Sequence, residues 1–204
     1  MGFGWFLIGY FFVSVVSIYS PLSFAMLAGY PMMIYGLWQL APYQRYFRVS
    51  FFFSLVSLPF ALYYAFYGFG MMGFGMSPFV SAAFPTVEWI YFVFTLLFTA
   101  LWLFAAYSLC RELMQERLLG GAIRSAIFFV LAHLTDFAAR LPLGVVAAYM
   151  SLPAILLRLI SIFLNLYLIY LCYRYICPQG EEFSHLKAES HFQKMKDTLK
   201  ENKK

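Results

Sequence analysis

The sequence has little charge. Only 11% of its 204 residues are Asp, Glu, Lys or Arg, whereas 63% are hydrophobic. A water-soluble domain of this size needs many more polar residues to cover its surface, so an ordinary soluble fold is excluded. Several apolar runs reach the about 20 residues that cross a hydrocarbon core of roughly 30 Å. The composition predicts an all-α, polytopic integral membrane protein.

Motifs for metal, cofactor or catalytic chemistry are also absent from the sequence. It contains no H-E-x-x-H, no G-x-S-x-G and no phosphate-binding loop. A b-type haem usually takes two embedded histidines, and only His133 lies in an apolar run. Because of this, no cofactor, metal site or catalytic residue is predicted, and an enzyme is only the third hypothesis.

The basic residues form no basic groove with interleaved aromatics, so no nucleic-acid partner is predicted. They fall instead in short loops and in the C-terminal stretch. The three cysteines are expected near the cytoplasmic side, where thiols stay reduced, so no disulfide is expected. Charge therefore indicates topology rather than a soluble ligand.

The apolar runs predict a bundle of six transmembrane helices. These spans are expected at residues 3–19, 22–40, 50–69, 85–109, 122–141 and 151–176. Ser20-Pro21, Pro85 and Pro153 supply start signals, because a capping hydroxyl or a proline suits the first turn of a helix. Residues 1–177 are predicted to form one transmembrane domain, and residues 178–204 a polar cytoplasmic tail with an amphipathic pattern.

Glycines predict where helices end or pack closely. Four glycines between residues 68 and 85 indicate a loop. Helix 4 is expected to continue through Arg117 and to end at the glycine pair 120–121, which makes either a solvated helical face or a docking surface. Gly29 and Gly36 in the second span predict close helix packing.

The distribution of basic residues predicts the orientation. Twelve of the 14 Lys and Arg residues fall on one side of the six predicted spans. They are Arg45, Arg48, Arg111, Arg117, Arg124, Arg174 and the six lysines after residue 186. Cytoplasmic loops carry an excess of such residues. The protein is therefore expected in the cell membrane, with both termini on the cytoplasmic side.

The last two predicted spans each carry one polar stripe. The stripes consist of His133, Asp136 and Arg140 on span 5, and of Arg158, Ser161 and Asn165 on span 6. Residues three or four apart share one helix face. A charge near a bilayer centre costs about 2.5 kcal/mol or more and usually faces a partner or a wet cavity.

Two ion pairs are expected from this arrangement. Asp136 and Arg158 each lie about six residues inside the predicted hairpin, roughly 9 Å below the outer boundary, so they should be level and paired. Glu88 and Arg140 should form a second, shallower pair. The deep pair either fixes the register of the two helices or belongs to a polar site that opens outward.

The polar-site interpretation assigns substrate-binding roles to five residues and an aromatic wall to five others. The substrate-binding candidates are His133, Asp136, Arg158, Ser161 and Asn165. The wall candidates are Tyr63, Tyr64, Tyr67, Trp89 and Tyr91. Such a site would lie between spans 4, 5 and 6.

The first 45 residues resemble the start of small uncharacterised multi-span bacterial membrane proteins. The resemblance is carried by Gly4-Trp5, Leu27-Ala-Gly-Tyr30, Ile34-Tyr-Gly-Leu37 and Leu40-Ala41. It implies a membrane location and no activity. Six spans in about 200 residues with both ends inside also resemble, in architecture, the substrate-capturing subunits of vitamin uptake transporters.

Two functional hypotheses follow. The first is a protein for small-solute transport or solute binding, acting through the polar site between spans 4, 5 and 6. The second is a structural or regulatory subunit that acts through the helix 4 extension and the tail. The expected partners are the lipid bilayer, a small-molecule solute, and a membrane-protein partner or a second copy of the chain.

Overall fold

The computed structural model describes residues 2–75, 78–114, 116–141 and 144–176, and almost all of these residues are helical. No β-strand occurs in these ranges. The helices are α1 (Gly2–Ser14), α2 (Met26–Leu40), α3 (Arg45–Leu55), α4 (Ser57–Phe69), α5 (Pro78–Glu112), α6 (Glu116–Arg140) and α7 (Gly144–Ile176). The all-α prediction is confirmed.

Three helices are long and apolar enough to cross a membrane: α5, α6, and the part of α7 from Ala147 to Ile176. Helices α3 and α4 pass the same test only as a pair, with a bend of 41° between them. The stretch Gly2–Ile18 is apolar but shorter. The described residues therefore hold three, or up to four, candidate spans, where the sequence predicted six.

The first two predicted spans are short because the chain between them winds into 3-10 turns at Val16–Ile18 and Ser20–Ala25. This leaves 13 residues in α1 and 15 in α2. At 1.5 Å per residue each helix is about 20 Å long, less than the roughly 30 Å of a hydrocarbon core. Ser23 Oγ donates a hydrogen bond of 2.7 Å to the carbonyl of Tyr64 and ties the turn to α4.

Glycines bring α1 and α2 into backbone contact. A Cβ added to Gly9 would lie 2.5 Å from the Gly29 carbonyl oxygen. A Cβ added to Gly36 would lie 2.6 Å from the Phe6 nitrogen and 2.7 Å from the Gly2 carbonyl oxygen. Any larger residue would push the helices apart, so the close packing predicted at Gly29 and Gly36 is confirmed.

The third predicted span is broken at Val56 into α3 and α4. Pro59 explains the break, because it has no N–H for the carbonyl of Leu55 and its ring crowds that carbonyl. Two buried serines also bond back into their own helix. Ser54 Oγ donates to Phe51 at 2.6 Å, and Ser57 Oγ to Ser54 at 2.5 Å. Such back-bonding bends helices.

Two predicted helix starts are wrong. Helix α5 begins at Pro78, so Pro85 lies inside it and Glu88 is not in its first turn. The predicted loop 68–85 shrinks accordingly: α4 runs to Phe69 and a π turn follows at Gly70–Phe74. Pro78 offers the same signal as Pro85 seven residues earlier, and the apolar residues between the two prolines continue the helix.

Helix α7 begins at Gly144 rather than at residue 151, so Pro153 lies inside it. The helix ends at Ile176, as predicted. Residues 144–150 extend the helix, because the small and apolar residues there favour a helical conformation.

The predicted continuation of helix 4 through Arg117 is also wrong. Helix α5 ends at Glu112, and Met114 takes a left-handed conformation with φ of 53° that closes it. The glycine pair 120–121 then falls inside α6 and ends no helix. The predicted tail, 178–204, lies outside the described residues.

Side-chain contacts show how the helices are directed. Asn165 contacts Tyr10 and Tyr173 lies against Gly4, so α7 runs antiparallel to α1. Helices α3 and α5 are also antiparallel, because ring contacts pair Phe53 with Phe94 and Tyr46 with Phe104. Trp102 of α5 lies at the centre of the core, with its ring 5.4 Å from Phe6 and 5.7 Å from Tyr10.

The bundle consequently has two distinct ends. We call one the arginine end, because six arginines lie at or near the helix termini gathered there. These are Arg45, Arg48, Arg111, Arg117, Arg124 and Arg174. The far end holds the start of α5, the end of α6 at Arg140 and the start of α7 at Gly144.

Candidate functional site

A cavity of about 330 Å³ lies inside the bundle. Helices α1, α2, α4, α5, α6 and α7 all contribute to its wall. On α5 the lining residues Glu88, Tyr91, Thr95 and Phe98 recur every three or four residues, the spacing of one helix face. The cavity is therefore a feature of the whole bundle and not of spans 4 to 6 alone.

All five candidate substrate-binding residues line this one cavity: His133, Asp136, Arg158, Ser161 and Asn165. Glu88 and Arg140 line it as well. The helical spacing explains the grouping, since the two polar stripes lie on the faces through which α6 and α7 meet the rest of the bundle.

Arg140 contacts two carboxylates. Its Nη1 lies 3.0 Å from Glu88 Oε1, and its Nε lies 3.3 Å from Asp136 Oδ1. The guanidinium also lies over the rings of Trp89 and Phe92, at 5.9 and 5.1 Å. The expected pair of Glu88 with Arg140 is thus present, although Glu88 is further along its helix than the sequence indicated.

The expected pair of Asp136 with Arg158 is wrong. Asp136 pairs with Arg140 one turn away on its own helix, and no carboxylate among the described residues is within ion-pairing distance of Arg158. The register of the hairpin is the cause. Ser125 bonds to the carbonyl of Leu164 at 3.2 Å, which places Arg158 about five residues, roughly 7 Å, deeper than expected.

A second pocket of about 440 Å³, open to the surface, adjoins the cavity at the far end, and we call it the outer chamber. Five residues line both spaces: Glu88, Asp136, Arg140, Ile155 and Arg158. Arg158 can reach the outer chamber from its deeper position because side chains lean toward the N-terminus of their helix, and α7 starts at the far end. Four charged side chains therefore lie between the two chambers.

At the deep end, Asn165 is only 1% exposed. Its Nδ2 donates a hydrogen bond of 2.9 Å to the Tyr10 hydroxyl, while Oδ1 has no partner among the described residues. Exchanging the amide oxygen and nitrogen leaves the nitrogen without a partner instead. One buried polar atom of a residue that lines the cavity is thus left without a hydrogen-bond partner among the described residues.

His133 lies between two phenyl rings, with its centroid 4.2 Å from Phe129 and 5.6 Å from Phe92. Its Nδ1 lies 3.0 Å from the carbonyl oxygen of Phe129. A carbonyl only accepts, so Nδ1 carries the proton and donates. The second ring nitrogen, Nε2, remains for other contacts.

Tyrosines on α1 and α2 belong to the wall and were missed by the sequence analysis. Tyr10 bonds to Asn165, and the Tyr30 hydroxyl lies 2.7 Å from that of Tyr91. Each follows a packing glycine, Gly9 or Gly29. A buried tyrosine usually needs a hydroxyl partner, so this pattern could have pointed to both residues.

The expected aromatic wall is present in part. Tyr64, Tyr67 and Tyr91 line the cavity, and Trp89 lines the outer chamber. Tyr63 does not line either; its hydroxyl donates to the carbonyl of Val80 at 2.7 Å.

Neither metal ligands nor relatives identify the site. Within residues 2–75, 78–114, 116–141 and 144–176, no group of three or more His, Cys, Asp or Glu could hold a metal ion. No protein-family model, curated protein or solved structure matches the chain. What the structure defines is a helical protein with three, or up to four, helices suited to a membrane and a cavity lined by both apolar and polar side chains.

Proposed function

We propose that the protein is a multi-span membrane protein that binds a small solute in the central cavity and transports it. The observation that carries this is a cavity of about 330 Å³ with the intramembrane charged and polar residues on its wall. Small-molecule sites are concave, mostly apolar and hold a few convergent polar groups. Charged residues inside membrane helices mark solute and ion pathways.

In this proposal the chain crosses the membrane six times. The crossings are α1 with its 3-10 turn, α2, the bent pair α3 and α4, α5, α6 and α7. Backbone contact between Gly9 and Gly29 supports the two short crossings, because it holds them together as one unit. A span shorter than the hydrocarbon core is accommodated by local thinning of the bilayer.

The orientation in this proposal places the arginine end in the cytoplasm, together with both termini. Its support is the excess of arginine at that end, which is the usual mark of the cytoplasmic side. The outer chamber lies at the far end, so the site would open to the outside of the cell membrane.

The two chambers suggest the course of binding. A solute entering the outer chamber meets Glu88, Asp136, Arg140 and Arg158, which line both spaces. Beyond them it reaches the aromatic and apolar wall of the cavity. The charged residues would therefore select the solute, and the deeper wall would hold its body.

The second hypothesis, a subunit that acts through a helix 4 extension and a tail, has less structural support. The extension ends at Glu112, and residues 178–204 lie outside the described part of the chain. The solute site is the hypothesis that a cavity supports.

The test is a thermal-unfolding screen of the purified protein in detergent micelles. The panel holds amino acids, sugars, monocarboxylates, amines and nucleosides, followed by uptake into proteoliposomes. We expect one class to raise the melting temperature and to be taken up. Ser161→Leu, which fills the cavity, should abolish both effects, and Ser81→Leu, on an exposed site away from both chambers, should retain them.

Size-exclusion chromatography and circular dichroism establish that both variants fold. If no class stabilises the wild-type protein, or if Ser161→Leu responds as the wild type does, the proposed function is overturned.

A further inference from the structure

We infer that the solute of this cavity is a small zwitterion with an apolar or aromatic body, of the amino acid type, with its carboxylate on Arg158 and its ammonium group on Asp136 and Glu88. This inference rests on the proposed function and names the chemical class of its ligand. Three observations carry it: the charges between the chambers, the apolar wall beyond them, and the buried amide at the deep end.

The charges on the wall sum to zero. Two carboxylates, Glu88 and Asp136, and two guanidinium groups, Arg140 and Arg158, line the boundary of the chambers. A ligand with net charge would leave one charge of this set without a counter-charge, which is costly wherever water is excluded. A ligand with net charge zero avoids that cost.

One guanidinium group at the boundary pairs with both carboxylates, and the other pairs with neither. Arg140 contacts one oxygen of each carboxylate, Glu88 Oε1 and Asp136 Oδ1, while no carboxylate of the described residues pairs with Arg158. This leaves a guanidinium group free to bind a carboxylate, and a second oxygen on each acid free to accept from an ammonium group. An α-amino acid carries both groups on one carbon and matches this arrangement.

The wall beyond the charges suits an apolar body. Phe98, Phe129, Met33 and Ile162 line the cavity. Its volume of about 330 Å³ equals that of roughly ten water molecules, enough for a small amino acid side chain. Aromatic rings pack favourably against such a wall, edge to face or offset.

The deep end has one group for a hydrogen bond. Asn165 is 1% exposed, lines the cavity and keeps one amide atom without a partner among the described residues. It lies seven residues beyond Arg158 on the same helix, about 10 Å along the axis. The side chain of an amino acid bound at Arg158 would extend toward this end of the cavity.

The experiment compares three probes with one skeleton: L-phenylalanine, 3-phenylpropionate and 2-phenylethylamine. Binding to the full-length protein in micelles is measured by thermal shift and by isothermal titration. We expect phenylalanine to bind about tenfold or more tightly than either of the others, since each of them lacks one charged contact.

Three variants test the assigned contacts. Arg158→Gln should weaken the binding of phenylalanine by about tenfold or more, and Arg158→Lys should restore part of it. Asp136→Asn should also weaken the binding of phenylalanine, because the ammonium group of the ligand loses one of its two carboxylate partners. The matched controls are Arg174→Gln on α7 and Glu116→Gln on α6, which lie at the arginine end and should bind phenylalanine as the wild type does.

Several results would overturn this inference and leave the proposed function standing. One is that 3-phenylpropionate or 2-phenylethylamine binds as tightly as phenylalanine. Another is that a sugar, nucleoside or other class binds, is blocked by Ser161→Leu, and phenylalanine does not bind. Phenylalanine binding that is unchanged in Arg158→Gln overturns the assignment of its carboxylate.

Discussion

Two arginines of the cavity wall stand in opposite electrostatic situations. Arg140 lies 3.0 Å from Glu88 and 3.3 Å from Asp136, and its side chain is 21% exposed. Arg158 has no carboxylate partner among the described residues. Losing Arg140 would leave two acids without their cation, whereas losing Arg158 would leave none. Arg140 is therefore placed to stabilise the fold, whereas Arg158 is the guanidinium that the proposal assigns to a ligand.

This difference predicts the stabilities of three variants. Arg140→Gln should lower the free energy of unfolding more than Glu88→Gln, because Glu88→Gln leaves the contact of Arg140 with Asp136 intact. Arg158→Gln should have the smallest effect. The measurement is denaturant unfolding in micelles, with Arg174→Gln as the control. Equal losses for Arg140→Gln and Glu88→Gln would contradict the shared pairing.

The polar residues of the site could be predicted from the sequence, but not all of their partners. The cost of charge in an apolar helix was enough to group His133, Asp136 and Asn165 on one site. The partner of Asp136 depended on the register of α6 and α7, and Pro153 misplaced the start of α7 by seven residues. The bond from Asn165 to Tyr10 joins the first helix to the last, and no local pattern indicates that contact.

Most of the wrongly predicted helix boundaries lie at prolines. The pattern around Pro85 and Pro153 predicts helix starts, yet both residues lie inside helices. Pro59 drew no prediction and breaks a span. A proline marks a helix start only where the residues before it do not favour helix themselves, and the apolar residues before Pro85 and Pro153 do. Helix existence was predictable here, and boundaries were not.

The contact of α1 with α2 predicts a sharp difference among glycine substitutions. Gly9→Ala should destabilise the protein by about 1–3 kcal/mol, since the new Cβ would overlap backbone atoms that cannot move independently. Gly36→Ala should behave similarly. Gly120→Ala is the control: it lies in α6 with no atom of the described residues within 4 Å of an added Cβ.

For Gly120→Ala we expect no loss, or a gain of about 0.5–1 kcal/mol from better helix propensity. Thermal unfolding in micelles compares the three variants. If Gly9→Ala is as stable as Gly120→Ala, the two helices are not in backbone contact.

The whole molecule has chemically different ends, and its orientation can be tested on cells. Tyr149, at the far end, is 77% exposed, and Tyr175, at the arginine end, is 51% exposed. In a Cys177→Ser background, Tyr149→Cys should react from outside with a membrane-impermeant maleimide. Tyr175→Cys should react only after permeabilisation. Cys110 and Cys172 are buried and should stay unlabelled in both.

The opposite labelling pattern would place the arginine end outside and overturn the proposed orientation. Labelling of both sites without permeabilisation would contradict a bundle that separates its two ends by a membrane.

The short lengths of α1 and α2 affect how the protein would enter a bilayer during synthesis. Neither helix alone is long enough to be a good insertion segment, and their backbones meet at Gly9 and Gly29. In the proposed topology each helix would therefore depend on the other to remain in lipid, and the two would enter the bilayer together as one hairpin.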